Sequence, residues 1–476
     1  MIIDINKRRH SKKTKRAKSR STGTAVKPPK NSTPIKYLTD LKVAEIFVRR
    51  HGKDIRYLHP AEKWLVWDSK RWAEDKTGEV VRRAKETTLL ILEIVKDIQD
   101  DDVRARLLKR ALTIQSEPRI KAMITVAQSE SGVPVTADKL DSNPWLLNVQ
   151  NGTIDLRTGE LRPHKQEDLI TKLIDVPYDR NAACPVWEAF IQRIMHDDPD
   201  LIRFLQKLVG YSLTGNTGEQ VMFMLYGTGA NGKSTFIDTL LSLLGDYGLQ
   251  TPTETLLNRK ENAMSNDIAR LRGARFVSAV ESEHGRKLAE VQVKRLTGGD
   301  VITARFLYHE YFRFIPEFKL VLAMNNKPII EGSDHGIWRR IRVIPFTVTI
   351  PPEEQDKNLG EKLKNELAGI LRWSVEGALR WQKEGLEAPE SVKVMTENYR
   401  AEMDVLADFI KECCDVSDPN AETPFQDLYF RYQDWCIAED EEPISKKEFA
   451  RRLTERGFNG GRDRFGRFRR GIRLKT

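Results

Sequence analysis

The chain has 476 residues, of which 39% are hydrophobic and 31% charged, a balance that fits two to four domains of ordinary globular protein. No apolar run reaches the roughly 18–20 residues a membrane span needs, and Met1–Ile5 leads straight into basic residues rather than an apolar signal segment; no membrane partner is expected, and a cytoplasmic site is. The four cysteines, Cys184, Cys413, Cys414 and Cys436, show no C-x-x-C spacing, which argues for reduced thiols and against a zinc site or a disulfide framework. The formal net charge of +10 is unevenly placed, with +10 in residues 1–30, +8 in residues 451–476 and −8 between them. Positive charge at both ends is how a polyanion-binding protein often distributes it.

In chain order, residues 1–34 read as a disordered basic arm, because KRRHSKKTKRAKSR followed by a Pro/Ser/Thr stretch cannot bury enough apolar surface to fold. Such an arm binds phosphate with a strong salt dependence, so its removal should flatten the salt slope of DNA binding. Residues 35–184 form an expected mixed α+β region. Within it WLVWDSKRW (Trp64–Trp72) has the alternation of a short hairpin, Val80–Asp100 has helical apolar spacing, and Asn143–Leu161 reads as strands broken by Asn-Gly and Thr-Gly turns. Trp64, Trp67 and Trp72 suit a core better than a base-stacking surface. Residues 185–350 alternate strands and helices, the pattern of an α/β domain around a central sheet. Residues 351–420 return to helical periodicity, and residues 421–476 read as helix, helix, then a Gly/Arg/Phe-rich strand region.

The strongest motif is GTGANGKST (Gly227, Thr228, Gly229, Ala230, Asn231, Gly232, Lys233, Ser234, Thr235), which satisfies G-x-x-x-x-G-K-S/T. It follows the apolar run VMFMLY and opens the helical pattern STFIDTLLSLL, the strand–loop–helix context that a phosphate-binding loop requires. Glycines let backbone N–H groups turn toward the phosphates of ATP, Lys233 would contact the β- and γ-phosphates, and Ser234 would hold Mg²⁺. Hydrolysis also needs an acidic group at a second strand's end. ARFVSAVESE supplies Glu281 for the Mg²⁺ shell and Glu283 for polarising water, with the two roles exchangeable. A third apolar strand, FKLVLAMNN, ends in Asn325, placed to read the γ-phosphate or the attacking water. Arg339 and Arg340 precede a fourth strand; either could reach a neighbouring subunit's nucleotide, while the other forms a salt bridge.

The ordered motifs GTGANGKST, AVESE, LTGGDVITAR and DHGIWRRIRVIPF resemble those of superfamily 3 helicases, in the phage and plasmid primase–helicase branch related to poxvirus primase–helicases. The resemblance extends from about Val48 to Thr476. It implies an AAA+-like P-loop ATPase core, a homo-hexameric ring around single-stranded DNA, and replication in a bacterial host alongside host or phage replication proteins. It also implies a channel hairpin with its tip near Leu307–Tyr311, where Tyr308 and His309, flanked by Arg305 and Arg313, would meet the DNA backbone. The C-terminal segment resembles a winged helix, with Lys446, Lys447, Arg451 and Arg452 on the recognition helix and Arg467 in the wing, suited to duplex DNA. Too little chain precedes the helicase-associated region for a primase–polymerase domain, so primer synthesis is not expected. Two other functions stay open at this point: an origin-binding initiator whose ATPase drives assembly and melting, and a duplex-DNA translocase.

Overall fold

The computed structural model describes residues 37–257, 265–281, 285–306, 310–330, 332, 335–439, 441, 443–464 and 466–475. The basic arm therefore lies outside the described residues, as do Glu283, Tyr308 and His309.

The described residues form two compact units, one drawn from 37–50 and 81–127, the other from 51–80 and 128–475. The division falls inside the expected 35–184 region rather than at its end. The first unit contains α1 (Asp40–His51), most of α2 (Glu79–Lys96), α3 (Asp101–Thr113) and α4 (Glu117–Ala127). On α2 the buried positions Ala84, Thr87, Thr88, Ile91 and Val95 recur at the helical spacing that makes one inward stripe. Asp100 caps α3 by accepting from the Val103 N–H at 3.0 Å, and Asp40 accepts from Arg110 at 2.8 Å and Arg119 at 2.6 Å.

The second unit begins with the antiparallel sheet β1 (Ile55–Leu58), β2 (Lys63–Trp67) and β3 (Trp72–Glu74), in which Trp67 pairs with Trp72 across the expected hairpin. A second antiparallel sheet follows, β4 (Leu146–Val149), β5 (Gly152–Asp155) and β6 (Glu160–Arg162). Then come α5 (Pro185–Ile194), α6 (Pro199–Leu213), β7 (Met222–Tyr226), α7 (Lys233–Leu244), β8 (Gly248–Gln250), α8 (Ser265–Ala269), β9 (Phe276–Glu281) and α9 (Glu290–Thr297). The hairpin β10 (Ile302–Ala304) and β11 (Phe312–Phe314) precedes β12 (Lys319–Met324), α10 (His335–Trp338) and β13 (Ile341–Pro345). The central sheet is parallel throughout, in the order β13-β7-β12-β9-β8. Its strands are apolar runs because both faces are covered: Phe223 and Leu225 of β7 face one apolar layer, Met222 and Met224 the other.

Buried cations fix the amino ends of this sheet. Arg275 donates to the Leu213 and Leu146 carbonyls at 2.7 and 2.9 Å. Lys319 donates to the carbonyls of Thr214 and Asn216, and its burial pushes its pKa well below the usual lysine value. Carbonyl partners are what make such desolvation tolerable.

Helices α11 (Leu359–Asn365), α12 (Leu367–Glu384) and α13 (Glu390–Glu402) close the core. Helices α6 and α12 meet backbone to backbone: a Cβ built on Gly377 would lie 2.0 Å from the Gln206 carbonyl, and one on Gly210 would lie 2.0 Å from the Ala378 nitrogen. Gly377→Ala gains about 1 kcal/mol of helix propensity but must separate the helices, at a cost of about 3 kcal/mol. The expected net loss is about 2 kcal/mol in a urea melt. The exposed Gly360→Ala, which meets nothing within 4 Å, should not lower the midpoint. Equal midpoints for the two variants would overturn this account of the crossing.

The C-terminal segment contains α14 (Val405–Cys413), β14 (Cys414–Asp415), β15 (Glu422–Pro424), α15 (Phe425–Ala438), α16 (Lys446–Glu455), β16 (Gly460–Asp463), β17 (Gly466–Arg470) and β18 (Arg473–Leu474). Its own core includes Phe409, Tyr432, Phe449 and Leu453. Among the described residues, no helix is long and apolar enough to cross a membrane.

Candidate functional site

The register of the central sheet builds the site. Met324 of β12 pairs with Tyr226 of β7 on one side and Glu281 of β9 on the other, and Pro345 of β13 pairs with Tyr226. The carboxyl ends of four parallel strands are therefore level, which is where α/β sheets open a ligand crevice. From that edge emerge the loop 227–232 after β7, Asn325 after β12, and Glu281 as the last residue of β9. A cavity of 290 Å³ is lined by Gly229–Thr235, Val280, Glu281, Ala323 and Asn325.

The loop's shape follows from its glycines. Gly229 and Gly232 have φ of +118° and +82°, conformations that side-chain-bearing residues rarely adopt. A Cβ on Gly232 would also come within 2.6 Å of Ile194 on α5. The turn delivers the chain into α7, whose first residues point their N–H groups toward the crevice. Asn231 braces the loop by donating to the Phe346 carbonyl at 3.1 Å. Lys233 is 6% exposed and donates to the Gly227 carbonyl at 2.6 Å and to Asn231 Oδ1 at 3.0 Å. Burial lowers its pKa to about 8, so this ammonium is poorly solvated and an anion would be a strong partner. Thr228 belongs to the same loop, and Ser234 and Thr235 follow in the first turn of α7.

Glu281 is 4% exposed and shares the crevice with Ser234, whereas Asn325 is exposed at its rim. A hydroxyl and a buried carboxylate on opposite sides of one crevice are hard oxygen donors that fit Mg²⁺. Beside the loop lies a larger trough of 830 Å³ that sequence reading missed. Its walls are Val186 and Phe190 of α5 against Ile350 and Leu359, with Thr235 and Asp238 of α7 below. No local motif could signal it, since it joins apolar residues from distant segments.

The arginine pair separates. Arg340 is buried, donating to Thr297 Oγ1 at 3.2 Å and the Gly336 carbonyl at 2.6 Å. Arg339 is exposed, and its guanidinium donates to the Gln220 amide oxygen at 3.0 Å. Both precede β13, at the opposite end of the sheet from the crevice, which is about 13 Å away along the strand.

The candidate nucleic-acid residues are dispersed. Arg305 lies at the end of β10 with its guanidinium 4.9 Å from the exposed Tyr311 ring, and Phe306 stacks on Phe312 at 5.6 Å. On α16, Lys447 is exposed, Lys446 donates to Gln426, and Arg451 pairs with Glu448 and Glu455. Arg452 is 5% exposed and bonded to Glu448 at 2.9 Å; its burial takes it off the surface expected of a recognition residue. Arg467 is exposed on β17. Neighbouring Arg469 is buried, donating to the Ala450 carbonyl at 2.7 Å and to Thr454 Oγ1 at 2.7 Å. Among the described residues there is no cluster of three or more His, Cys, Asp or Glu that could hold a metal ion.

Three family profiles match the chain: D5 N terminal like over residues 44–196, a family of unknown function over 225–340, and Poxvirus D5 protein-like over 401–467. The chain carries a D5 N-terminal-like region and a poxvirus D5-like region, consistent with the superfamily 3 primase–helicase family. A helicase-named protein of Acanthamoeba polyphaga mimivirus is 30% identical over 62% of the chain and 33% of its own length. A helicase-named protein of Invertebrate iridescent virus 3 is 27% identical over 63% and 36%. A primase-named protein of African swine fever virus is 25% identical over 62% and 34%. The chain thus spans about a third of the length of these curated relatives. All three come from viruses of eukaryotes, which gives no support to the bacterial host implied by the sequence resemblance. The NrS-1 C terminal region has the same fold, with a TM-score of 0.50, 12% identity, and coverage of 91% of this chain and 100% of that one.

Proposed function

We propose that the chain is an ATP-dependent DNA helicase acting in replication as part of a ring. The observation that carries this reading is the level register of Tyr226, Met324 and Glu281, which gathers a phosphate loop, a buried carboxylate and a polar amide around one crevice. In this reading Lys233 and the loop N–H groups hold the β- and γ-phosphates of ATP. Ser234 and Glu281 would hold Mg²⁺, which would supply positive charge beside those phosphates. Asn325, with Glu283, orients the attacking water. The base lies in the trough between Phe190 and Ile350. Arg339 acts on the neighbouring subunit's nucleotide, because its own lies across the sheet.

DNA follows the hairpin bearing Arg305, Tyr308, His309 and Arg313. The basic arm and the C-terminal domain, through Lys446, Lys447, Arg451 and Arg467, add phosphate contacts. Relatives named for helicase and primase activity support a role in copying DNA. The phage or plasmid setting and the ring size remain part of the proposal.

Strand displacement on a forked duplex tests it. The wild type is expected to release the strand with ATP and Mg²⁺, and Lys233→Ala is not. ATP hydrolysis without strand release would instead favour an origin-melting initiator or a duplex translocase.

A further inference from the structure

The segment after β12 carries Asn325 and, two residues on, Lys327, for which the nucleotide reading has no use. The Lys327 side chain is 12% exposed, and its ammonium donates to both carboxylate oxygens of Glu402 on α13, at 2.6 and 2.7 Å. The same nitrogen lies 4.9 Å from the centroid of the Tyr226 ring and 5.5 Å from that of Tyr399. Tyr226 ends β7 and immediately precedes Gly227. Tyr399 is buried on α13, donates its hydroxyl to the Pro328 carbonyl, and meets Trp338 edge-on at 5.4 Å. Trp338 in turn precedes Arg339.

One ammonium therefore touches the strand that enters the phosphate loop and the helix that braces the Arg339 turn, while its own backbone carries Asn325. A surface ion pair contributes little, but this lysine is largely out of water and held by a two-oxygen carboxylate and two ring faces. Asn325 itself is exposed at the rim of the crevice, so its aim depends on the backbone that Lys327 and Pro328 anchor. Misplacing a group that orients a reacting water by about 1 Å can cost as much as 10²-fold in rate.

Resting on the reading of the crevice as an ATP site, we propose that Lys327 is a positioning residue for hydrolysis. With Glu402 it sets the separation between Asn325 and the phosphate loop. The anchor also continues toward the C-terminal domain: two residues beyond Glu402, Asp404 accepts from the Ala407 N–H at 3.2 Å at the start of α14 and pairs with Arg456 just after α16.

The test is steady-state ATP hydrolysis by the full chain with Lys327→Met, Glu402→Gln and the double variant. Each single change is expected to lower kcat by about tenfold or more while KM for ATP stays within about twofold. The double variant should be no worse than the poorer single, since both remove the same anchor. A wild-type kcat in Glu402→Gln, a raised KM at unchanged kcat, or losses that multiply in the double variant would each overturn the proposal. Glu402 is half-exposed, so Glu402→Gln keeps the test decisive even if Lys327→Met folds poorly. A wild type that hydrolyses no ATP would instead sink the nucleotide reading itself.

Discussion

Lys233→Ala is expected to cut ATP turnover by about 10²–10³-fold, the range for losing one preorganised charge-stabilising donor, with circular dichroism and DNA binding nearly unchanged. The ammonium is buried at the start of α7, held by a loop carbonyl and the Asn231 amide oxygen. Among the described residues no carboxylate pairs with it, which leaves the charge available to a phosphate. Its removal should not open the core, because the helix remains anchored through Phe236, Ile237 and Leu240. Turnover at the wild-type rate would refute the phosphate-loop assignment.

The same burial gives the site a pH signature. The folded pKa of Lys233 is lowered from 10.5 to about 8, so between those values the unfolded chain holds a proton that the folded chain has released. Folding stability of the nucleotide-free protein therefore gains from this group as pH rises from 8 toward 10.5. Bound phosphates favour the ammonium and raise its pKa, so nucleotide affinity should fall as pH climbs past 8. Titrations with a fluorescent ATP analogue at pH 7, 8 and 9 should show that decline in the wild type, and not in Lys233→Met.

Arg339→Ala is expected to reduce turnover by about 10³-fold or more, as loss of an arginine that stabilises transferred-phosphoryl charge does, without weakening ATP binding comparably. The position of the residue decides how to test it. Arg339 precedes β13, whereas the crevice lies beyond that strand's far end, so in the proposed ring the arginine would serve a neighbouring subunit's nucleotide. Mixing Arg339→Ala with Lys233→Ala chains should then restore activity. Interfaces that combine an intact loop from one variant with an intact arginine from the other arise in roughly a quarter of random pairings. Mixtures as inactive as their components would rule out action between subunits.

Much of this was readable in the sequence, for reasons that can be named. GTGANGKST specifies its own backbone through its glycines, and VMFMLY, ARFVSAV and FKLVLAM are the unbroken apolar runs of strands covered on both faces. The hairpin around Trp67–Trp72 was likewise legible from alternation, whereas the one around Ala304–Phe312 was implied by the resemblance to superfamily 3 helicases. Other features depend on tertiary context. Arg339 and Arg340 are adjacent and chemically identical, and tertiary partners of Arg340, Thr297 and the Gly336 carbonyl among them, decide which is buried. Arg452 was partly foreseeable: Phe449 and Leu453 mark the inward stripe of α16, and Arg452 is three residues from the first and one from the second. The trough beside the phosphate loop and the Lys327–Glu402 pair join segments 75 to more than 150 residues apart, which no local periodicity encodes. The split between the two compact units also cuts across a region whose local signals run on without a break.

The placement of Arg339 at the sheet edge remote from the crevice has a consequence for how the protein behaves when scarce. If Arg339 acts between subunits as proposed, a solitary chain would hold ATP but be a poor catalyst, so turnover per chain should climb steeply with protein concentration and collapse on dilution. Fuel consumption would thereby be withheld from newly made, unassembled chains and released only once copies have gathered, with no separate inhibitor required.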